Sequence, residues 1–498
     1  MHTIRIFDTV VKKQENFWNN IHFHPTDAIE DEWGQRILNE VAKDHVAQTV
    51  RMYAMLADIV SMDENGKLQY DFTENDVRMD YMVEKGFQLL ISYNFIPPCI
   101  AKNTEVFSVA AKGKTRYKGK VIIPSPPKDY ALWEDICYEY TKHIVGRYGV
   151  ERVKDWYLQC YNEPDIPTFF MPYLKPEEKG ERLKEYCKLY HGFASGVTRA
   201  HVGLRLGGPA IGENVEFLQG FLHYVKENHV PMTYLSVHCY GVGMPGLRDG
   251  LTHLDPMNHV VKNKKYREIL DAFFPGKIEM VVDEWGACTE GCFNVDECPK
   301  FMYRENEKFA AYYGKMITYC IEQDAAPTKT MICLSGQHEM TVDFSGFRNF
   351  FTLNFIKKPI YNAFVLGARL KKNVLKWEGE AENLSVLPTR DEEGRHGVML
   401  SYAAPDFEQE IESFHGTLAF ENVYGQKHVK VWAIDESHTN PYGLYLKNGY
   451  SPNLTKEQIE VLREEGNIKP VKEYDCEASG TLSIDVSCEG SGLLLVEF

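Results

Sequence analysis

Glu163 and Glu284 are the two side chains of this sequence best placed to act on one bond. Each follows an apolar run that reads as a buried strand: Trp156-Tyr157-Leu158-Gln159-Cys160 leads into Tyr161-Asn162-Glu163-Pro164, and Ile278-Glu279-Met280-Val281-Val282 leads into Asp283-Glu284. A carboxylate at the end of a core strand is costly to bury unless it is paired or used. Two of them about 5 Å apart across a barrel mouth suit hydrolysis of a glycosidic bond with retention, one attacking the anomeric carbon and the other donating and later recovering a proton. In that scheme Glu163 is the proton donor, raised in pKa by an apolar surround and by the second carboxylate, and Glu284 is the nucleophile, held ionised by hydrogen-bond donors. Asp283 competes for the nucleophile's place. Side chains alternate along a strand, so one of the two adjacent carboxylates is expected at the mouth and the other in the outer layer. The longer side chain, nearer the strand end, favours Glu284.

Other residues fall where they can serve this pair. Arg51 and Tyr53 close another strand, and an arginine inside a barrel must be paired, here with Glu284. In His238-Cys239-Tyr240 the tyrosine hydroxyl is placed to reach the nucleophile, and His238 joins the substrate-binding set. Asn162 can donate from its amide to a sugar 2-hydroxyl. His22 and His24 end the first strand and can meet sugar hydroxyls, as can Glu339 after the last strand. No metal or cofactor is expected. Cys288, Cys292 and Cys298 have no zinc spacing, and Gly207-Gly208-Pro209 lacks the phosphate-loop spacings.

These residues need a frame that brings strand ends together. Eight strand-like runs, at 20–24, 48–53, 87–93, 153–160, 203–208, 233–239, 277–283 and 329–335, alternate with helical segments, the pattern of a parallel β/α architecture and, with eight strands, of a (β/α)8 barrel. The helical stripes are clear: Trp133, Ile136, Cys137, Tyr140 and Ile144 follow a cap at Asp129, and Leu183, Tyr186, Tyr190, Phe193 and Val197 repeat the spacing. Beyond about residue 360 the pattern changes to period-two strands such as Gly397-Val398-Met399-Leu400-Ser401-Tyr402, Lys430-Val431-Trp432-Ala433-Ile434 and the closing 481–498, which reads as an accessory antiparallel β-sandwich with a helix near 455–465. Residues 15–345 are assigned to the barrel, and 1–14 with 346–498 to the sandwich, where Thr3-Ile4-Arg5-Ile6 adds an edge strand.

The whole chain bounds the partners. A formal charge of -16 over 498 residues disfavours nucleic acid and anionic membrane, so an oligosaccharide or glycoside is the expected ligand. The N-terminus shows no signal-peptide core and no apolar run spans a bilayer. The twelve cysteines are scattered through apolar segments, which predicts reduced thiols and a cytoplasmic address.

Taken together, these segments resemble glycoside hydrolase family 39, particularly its bacterial β-xylosidases. The resemblance rests on Pro126-Pro127-Lys128-Asp129-Tyr130 with Trp133 and Arg147-Tyr148-Gly149, on Asn162-Glu163-Pro164, on Leu206-Gly207-Gly208-Pro209-Ala210 and on Asp283-Glu284-Trp285. It continues through Phe355-Ile356-Lys357-Lys358-Pro359 and Ile434-Asp435-Glu436-Ser437-His438-Thr439-Asn440-Pro441. It implies a barrel with an accessory sandwich, retaining hydrolysis without metal, Glu163 as acid/base, Glu284 as nucleophile, Trp285 in the sugar site and a homo-oligomer, tetramer or dimer. Departures surround the pocket. Ile332-Cys333-Leu334-Ser335-Gly336 lacks the Tyr-Trp of the bacterial xylosidases, Tyr53 stands for a family histidine, Phe170 for a tryptophan, and the loop with Lys112, Lys114, Arg116, Lys118 and Lys120 is more basic than the family's. A uronic-acid glycone, as in α-L-iduronidases, would use Arg348 or a lysine of that loop. A silent carbohydrate-binding protein need not keep both carboxylates, and a metal-dependent isomerase would need ligands that this sequence does not cluster.

Overall fold

The structure, a computed structural model, describes residues 2–23, 32–106, 122–336, 339–407 and 409–498. The eight apolar runs form a closed parallel barrel in chain order: Asn20–Phe23, Thr49–Tyr53, Gln88–Tyr93, Tyr157–Cys160, Arg205–Ile211, Tyr234–Val242, Glu279–Cys288 and Lys329–Leu334, the last pairing back onto the first. The fourth strand is shorter than expected because Val150–Val153 forms a helical turn. The fifth, sixth and seventh run longer at their carboxyl ends, where pairing persists as far as Cys288 opposite Val242. The helix Tyr130–Tyr148 starts at Asp129, whose side chain accepts from the Ala131 N–H, and it buries the stripe that its spacing predicts.

The barrel interior is layered. Leu90, Tyr157, Tyr234, Val281 and Met331 form an apolar plug. Two residues further along the same strands come Ser92, Gln159, Ser236, Asp283 and Cys333, all buried. A strand's period of two therefore carries the interior from hydrocarbon to polar groups in one step toward the carboxyl end. The alternate residues, among them Leu89, Ile91, Leu158, Leu235 and Ile332, belong to the large core shared with the helices.

The second region contains His2–Lys13, Asn373–Glu378, Leu384–Arg390, His396–Tyr402, Phe414–Ile434, Pro470–Cys488 and Gly492–Glu497 in one mostly antiparallel sheet. Its two faces are not separate sheets. Phe414–Ile434 pairs with the N-terminal strand near its start, His2 opposite Gly416, and with Gly492–Glu497 near its end, Ile434 opposite Leu493, so the sheet folds back on itself. The N-terminal strand is thus flanked on both sides rather than lying at an edge, which buries Ile4 and Ile6 while Thr3 and Arg5 stay exposed. Alternation sorts the remaining side chains: Val398, Leu400, Leu494 and Val496 fill the folded sheet, whereas Met399, Leu493 and Leu495 face the barrel's core. The helix Glu307–Glu322 packs between the two regions at Gly314, where an added Cβ would come within 2.0 Å of Ser401 Oγ and 2.5 Å of Leu493 Cδ1. Lys456–Glu465 supplies the expected helix, closed by a capping box between Thr455 and Gln458.

Candidate active site

Glu163 is aimed by an unusual backbone. Tyr161 and Glu163 both take left-handed conformations, with φ of 67° and 47°, which costs a non-glycine residue on the order of 1–3 kcal/mol. Three hydrogen bonds hold the turn: Ser92 Oγ donates to the Tyr161 carbonyl at 2.8 Å, the Glu163 N–H to the Ala210 carbonyl at 2.9 Å, and the Tyr161 hydroxyl to the Phe169 carbonyl at 2.9 Å. The Glu163 carboxyl then meets His238, with Nδ1 at 2.8 Å from Oε1.

Glu284 reaches the same space by a different device. Pairing between the sixth and seventh strands slips between Val282 and Glu284, so that Glu284 rather than Asp283 lies opposite His238. Such a bulge breaks the alternation of side chains. Both carboxylates consequently point inward, against the expectation that only one would. Arg51 donates from Nη1 to Glu284 Oε1 at 2.6 Å, and its Nη2 lies 3.1 Å from Asp283 Oδ2. Tyr240 donates to Glu284 Oε2 at 2.7 Å, and the Tyr53 hydroxyl and His22 Nε2 lie 3.4 Å and 3.3 Å from Oε1. Arg51 also donates to Gln159 Oε1 and, at 2.7 Å, to Asn162 Oδ1, which leaves the Asn162 amide nitrogen as its donor to a ligand. A carboxylate oxygen of Glu163 and one of Glu284 lie within 4.8 Å of each other.

The surroundings push the two carboxyls apart in acidity. Burial raises the Glu163 pKa, opposed by His238 and reinforced by the charge of Glu284. Burial would raise Glu284 too, but the charge of His238 and the partners His22 and Arg51 overturn it and hold Glu284 well below the usual carboxylate range. For His238, burial is outweighed by Glu284, Asp283 and Glu163, which raise its pKa well above 6.5. His22 goes the other way: burial and the adjacent Arg51 lower its pKa to about 4, against the opposing pull of Glu284. Two carboxyls with opposed acidity, one near a proton and one stripped of it, can divide proton transfer from nucleophilic attack.

A cavity of about 640 Å³ opens above this network, lined among others by Tyr53, Asn162, Glu163, Phe169, Tyr240, Glu284, Cys333, Ser335 and Arg348. Arg51 and His238 are not part of that lining. They lie fully buried behind the carboxylates and act on them, not on the cavity. Trp285 is turned away as well, since the bulge sends it into the helical layer, its ring 5.9 Å from His259 and 6.3 Å from Tyr313. Glu339 does not line the cavity, and Phe170 is buried against Tyr161 while its neighbour Phe169 takes the wall. His24 and the basic loop at 112–120 fall outside the described residues. Cys288, Cys292 and Cys298 do not form a ligand cluster; among the described residues the groups with ligand spacing are His22–Glu284–Cys333 and Glu163–His238–Glu284, built around the carboxylates themselves. Gln159, which bridges Arg51 to Asp283 through its Nε2 at 2.7 Å, had a signal in the sequence: a polar residue two places past Tyr157 on the strand's inward face.

An eight-stranded parallel barrel with two carboxylates this close at its carboxyl end is the arrangement that retaining glycoside hydrolases use. The chain belongs to one family of them: the model of glycosyl hydrolases family 39 matches residues 3–483. It is 24% identical over 466 residues to a β-xylosidase of Caldicellulosiruptor saccharolyticus, covering 90% of this chain and 88% of that one. A weaker similarity, 25% over 161 residues, links it to the α-L-iduronidase of Homo sapiens, across 32% of this chain and 20% of the human protein. In fold it is similar to the crystal structure of a monomeric β-xylosidase from Caulobacter crescentus CB15, with a TM-score of 0.80 and 19% identity over 100% of this chain and 99% of that one.

Proposed function

We propose that this enzyme releases a β-xylose-like sugar from the end of short glycosides by double displacement, with Glu284 as nucleophile and Glu163 as acid and then base. The observation that carries the reading is the pair of carboxyls within 4.8 Å whose environments drive their acidities in opposite directions. Glu284 attacks the anomeric carbon while Glu163 protonates the departing oxygen; water, deprotonated by Glu163, then cleaves the glycosyl ester. Tyr240 and Arg51 hold Glu284 in its ionised form before attack, and the Asn162 amide is free to donate to a sugar hydroxyl. All twelve cysteines are free thiols, which supports a reducing, cytoplasmic setting and hence short imported glycosides over polymers. Self-association into a dimer or tetramer belongs to the same proposal and is tested by light scattering.

Nitrophenyl glycosides test the reading: β-D-xyloside, α-L-arabinoside, β-D-galactoside and α-L-iduronide, with the Glu284→Ala variant as control. Turnover of the xyloside above the others supports it, and silence across the set with wild-type enzyme removes it.

A second reading, a uronic-acid glycone, is favoured by Arg348. This buried guanidinium lines the cavity and donates to the carbonyl oxygens of Cys333, Cys288 and Thr289, yet it meets no carboxylate among the described residues. A buried cation paired only with neutral acceptors suits an anionic substrate group. Under this reading the iduronide is the best substrate and Arg348→Met costs it about 10–100-fold more than the xyloside.

A further inference from the structure

We propose that His238 is a positioning residue that keeps one positive charge through both halves of the reaction and serves Glu284 and Glu163 in turn. The proposal rests on the two-carboxylate reading above. Its ground is the place of the ring between the two acids. Nδ1 lies 2.8 Å from Glu163 Oε1, whereas Nε2 lies 3.5 Å from Glu284 Oε1 and 3.6 Å from Asp283 Oδ2. The ring is wholly buried, and Nε2 has no directed hydrogen bond to either acid, so it interacts with them through charge.

The charged and titratable groups facing His238 are Glu163 from the end of the fourth strand and Asp283 and Glu284 from the seventh. Arg51 and His22 face Glu284 from the second and first strands, Tyr240 does so from the histidine's own strand, and the buried Arg348 guanidinium, 3.4 Å from the Tyr240 hydroxyl, adds its charge from beyond the eighth. Before reaction, Arg51 and His238 are cationic, Asp283 and Glu284 anionic, and Glu163 protonated. In the first half-reaction a bond forms from Glu284 to the anomeric carbon as the bond to the aglycone oxygen breaks, and the Glu163 proton passes to that oxygen. Glu284 has become a neutral ester and Glu163 an anion. In the second half, Glu163 takes a proton from water, the water oxygen bonds to the anomeric carbon, the ester bond breaks and the charge returns to Glu284.

The negative charge thus moves from one side of the imidazolium to the other while the charges of Arg51, His238, Asp283, Glu284 and Glu163 sum to zero in both states. A neutral residue at 238 would leave these five groups one positive charge short in each, which is costly away from water. A cation tied to only one acid would stabilise one state at the expense of the other. The two ring nitrogens lessen that bias, because Nδ1 faces Glu163 and Nε2 faces Glu284 together with Asp283.

Removing the charge has a signed consequence. Loss of a nearby cation favours the neutral carboxyl, so the pKa values of Glu284 and Glu163 both rise. In His238→Asn and His238→Gln, both limbs of the kcat/KM profile are expected to move to higher pH by about 1–3 units. The covalent intermediate should also stall near neutral pH, because Glu163 stays protonated and cannot serve as base. A burst of nitrophenol should precede a steady rate lowered about 10²-fold, and azide, which needs no base, should accelerate that rate. Limbs that stay in place while the rate falls equally at every pH would show a merely structural role and overturn the proposal.

If neither variant folds, the wild-type enzyme still decides. With ¹³C-histidine, the His238 ring should titrate as an imidazolium at the pH of maximal turnover, both in free enzyme and after trapping with a 2-deoxy-2-fluoro glycoside. A neutral ring in either state overturns the proposal. The nucleophile assignment is read separately by azide rescue of Glu284→Ala, so failure of one does not masquerade as failure of the other.

Discussion

The floor of the barrel mouth and the interior of the folded sheet are both buried, but they are filled with opposite chemistry. Arg51, Gln159, His238, Asp283 and Glu284 are buried together at the carboxyl end of the barrel, whereas the sheet encloses Ile4, Val398, Leu418, Val429, Ile484 and Val496. Burying charge is costly even when it is paired, and replacing a buried ion network with hydrocarbon is often neutral or stabilising. Aliphatic burial stabilises at about 25 cal/mol per Å² of apolar area without any partner. The difference teaches that the sheet is built for stability and that the barrel mouth holds its charges for another purpose. Mutations in the two regions should therefore separate activity from stability.

The largest effect is expected at Glu284. Its replacement by alanine should lower kcat/KM by about 10⁴-fold or more, with azide restoring turnover as a glycosyl azide of inverted configuration. The circular dichroism spectrum should be unchanged, and full activity in this variant would remove the nucleophile assignment.

Glu163→Ala comes next, with a loss of about 10²–10⁴-fold on substrates with poor leaving groups and a much smaller one in glycosylation by dinitrophenyl glycosides. An equal loss on both would argue against its acid role. The intact pair should give a bell-shaped pH profile, activity falling at the acid side as Glu284 gains a proton and at the alkaline side as the raised Glu163 loses its own.

The sheet should answer in the other currency. Ile484→Ala should cost about 2–5 kcal/mol in denaturant unfolding while kcat/KM per folded molecule stays at the wild-type value. A proportional fall in kcat/KM would blur the distinction between the regions.

The smallest effect lies where they meet. Glu307 is buried at the start of the helix between barrel and sheet and accepts from Asn440 Nδ2 at 2.6 Å. Burial pushes its pKa up to about 7. Because the folded value is raised, its contribution is fully present below the unfolded value and is lost as pH rises through about 7. Thermal stability should fall across that window by an amount on the order of 1–3 kcal/mol, and Glu307→Gln should flatten the dependence. An unchanged slope in that variant would show that another group governs it.

Much of this was legible in the residues. The eight strands were readable because apolar runs of barrel length alternate with helical stripes, and the pairing of Arg51 and Tyr240 with Glu284 followed from their places at strand ends. That Asp283 and Glu284 both turn inward was not, since the bulge that brings Glu284 in beside Asp283 is a property of two paired strands and not of either sequence. For the same reason Trp285, next to the nucleophile in sequence, lies in the helical layer. His238 and Arg51 were expected at the sugar, but full burial sets them one layer behind it.

The sequence by itself determined which chemistry is available and which face of each strand is apolar, because both depend on residue type and on a period of two that neighbours within the strand already define. Tertiary structure alone decided how the acids meet. The separation of Glu163 and Glu284, their opposed acidities and the position of His238 between them arise from strands far apart in the chain, and electrostatic energy depends on distance and burial, which only the closed barrel supplies.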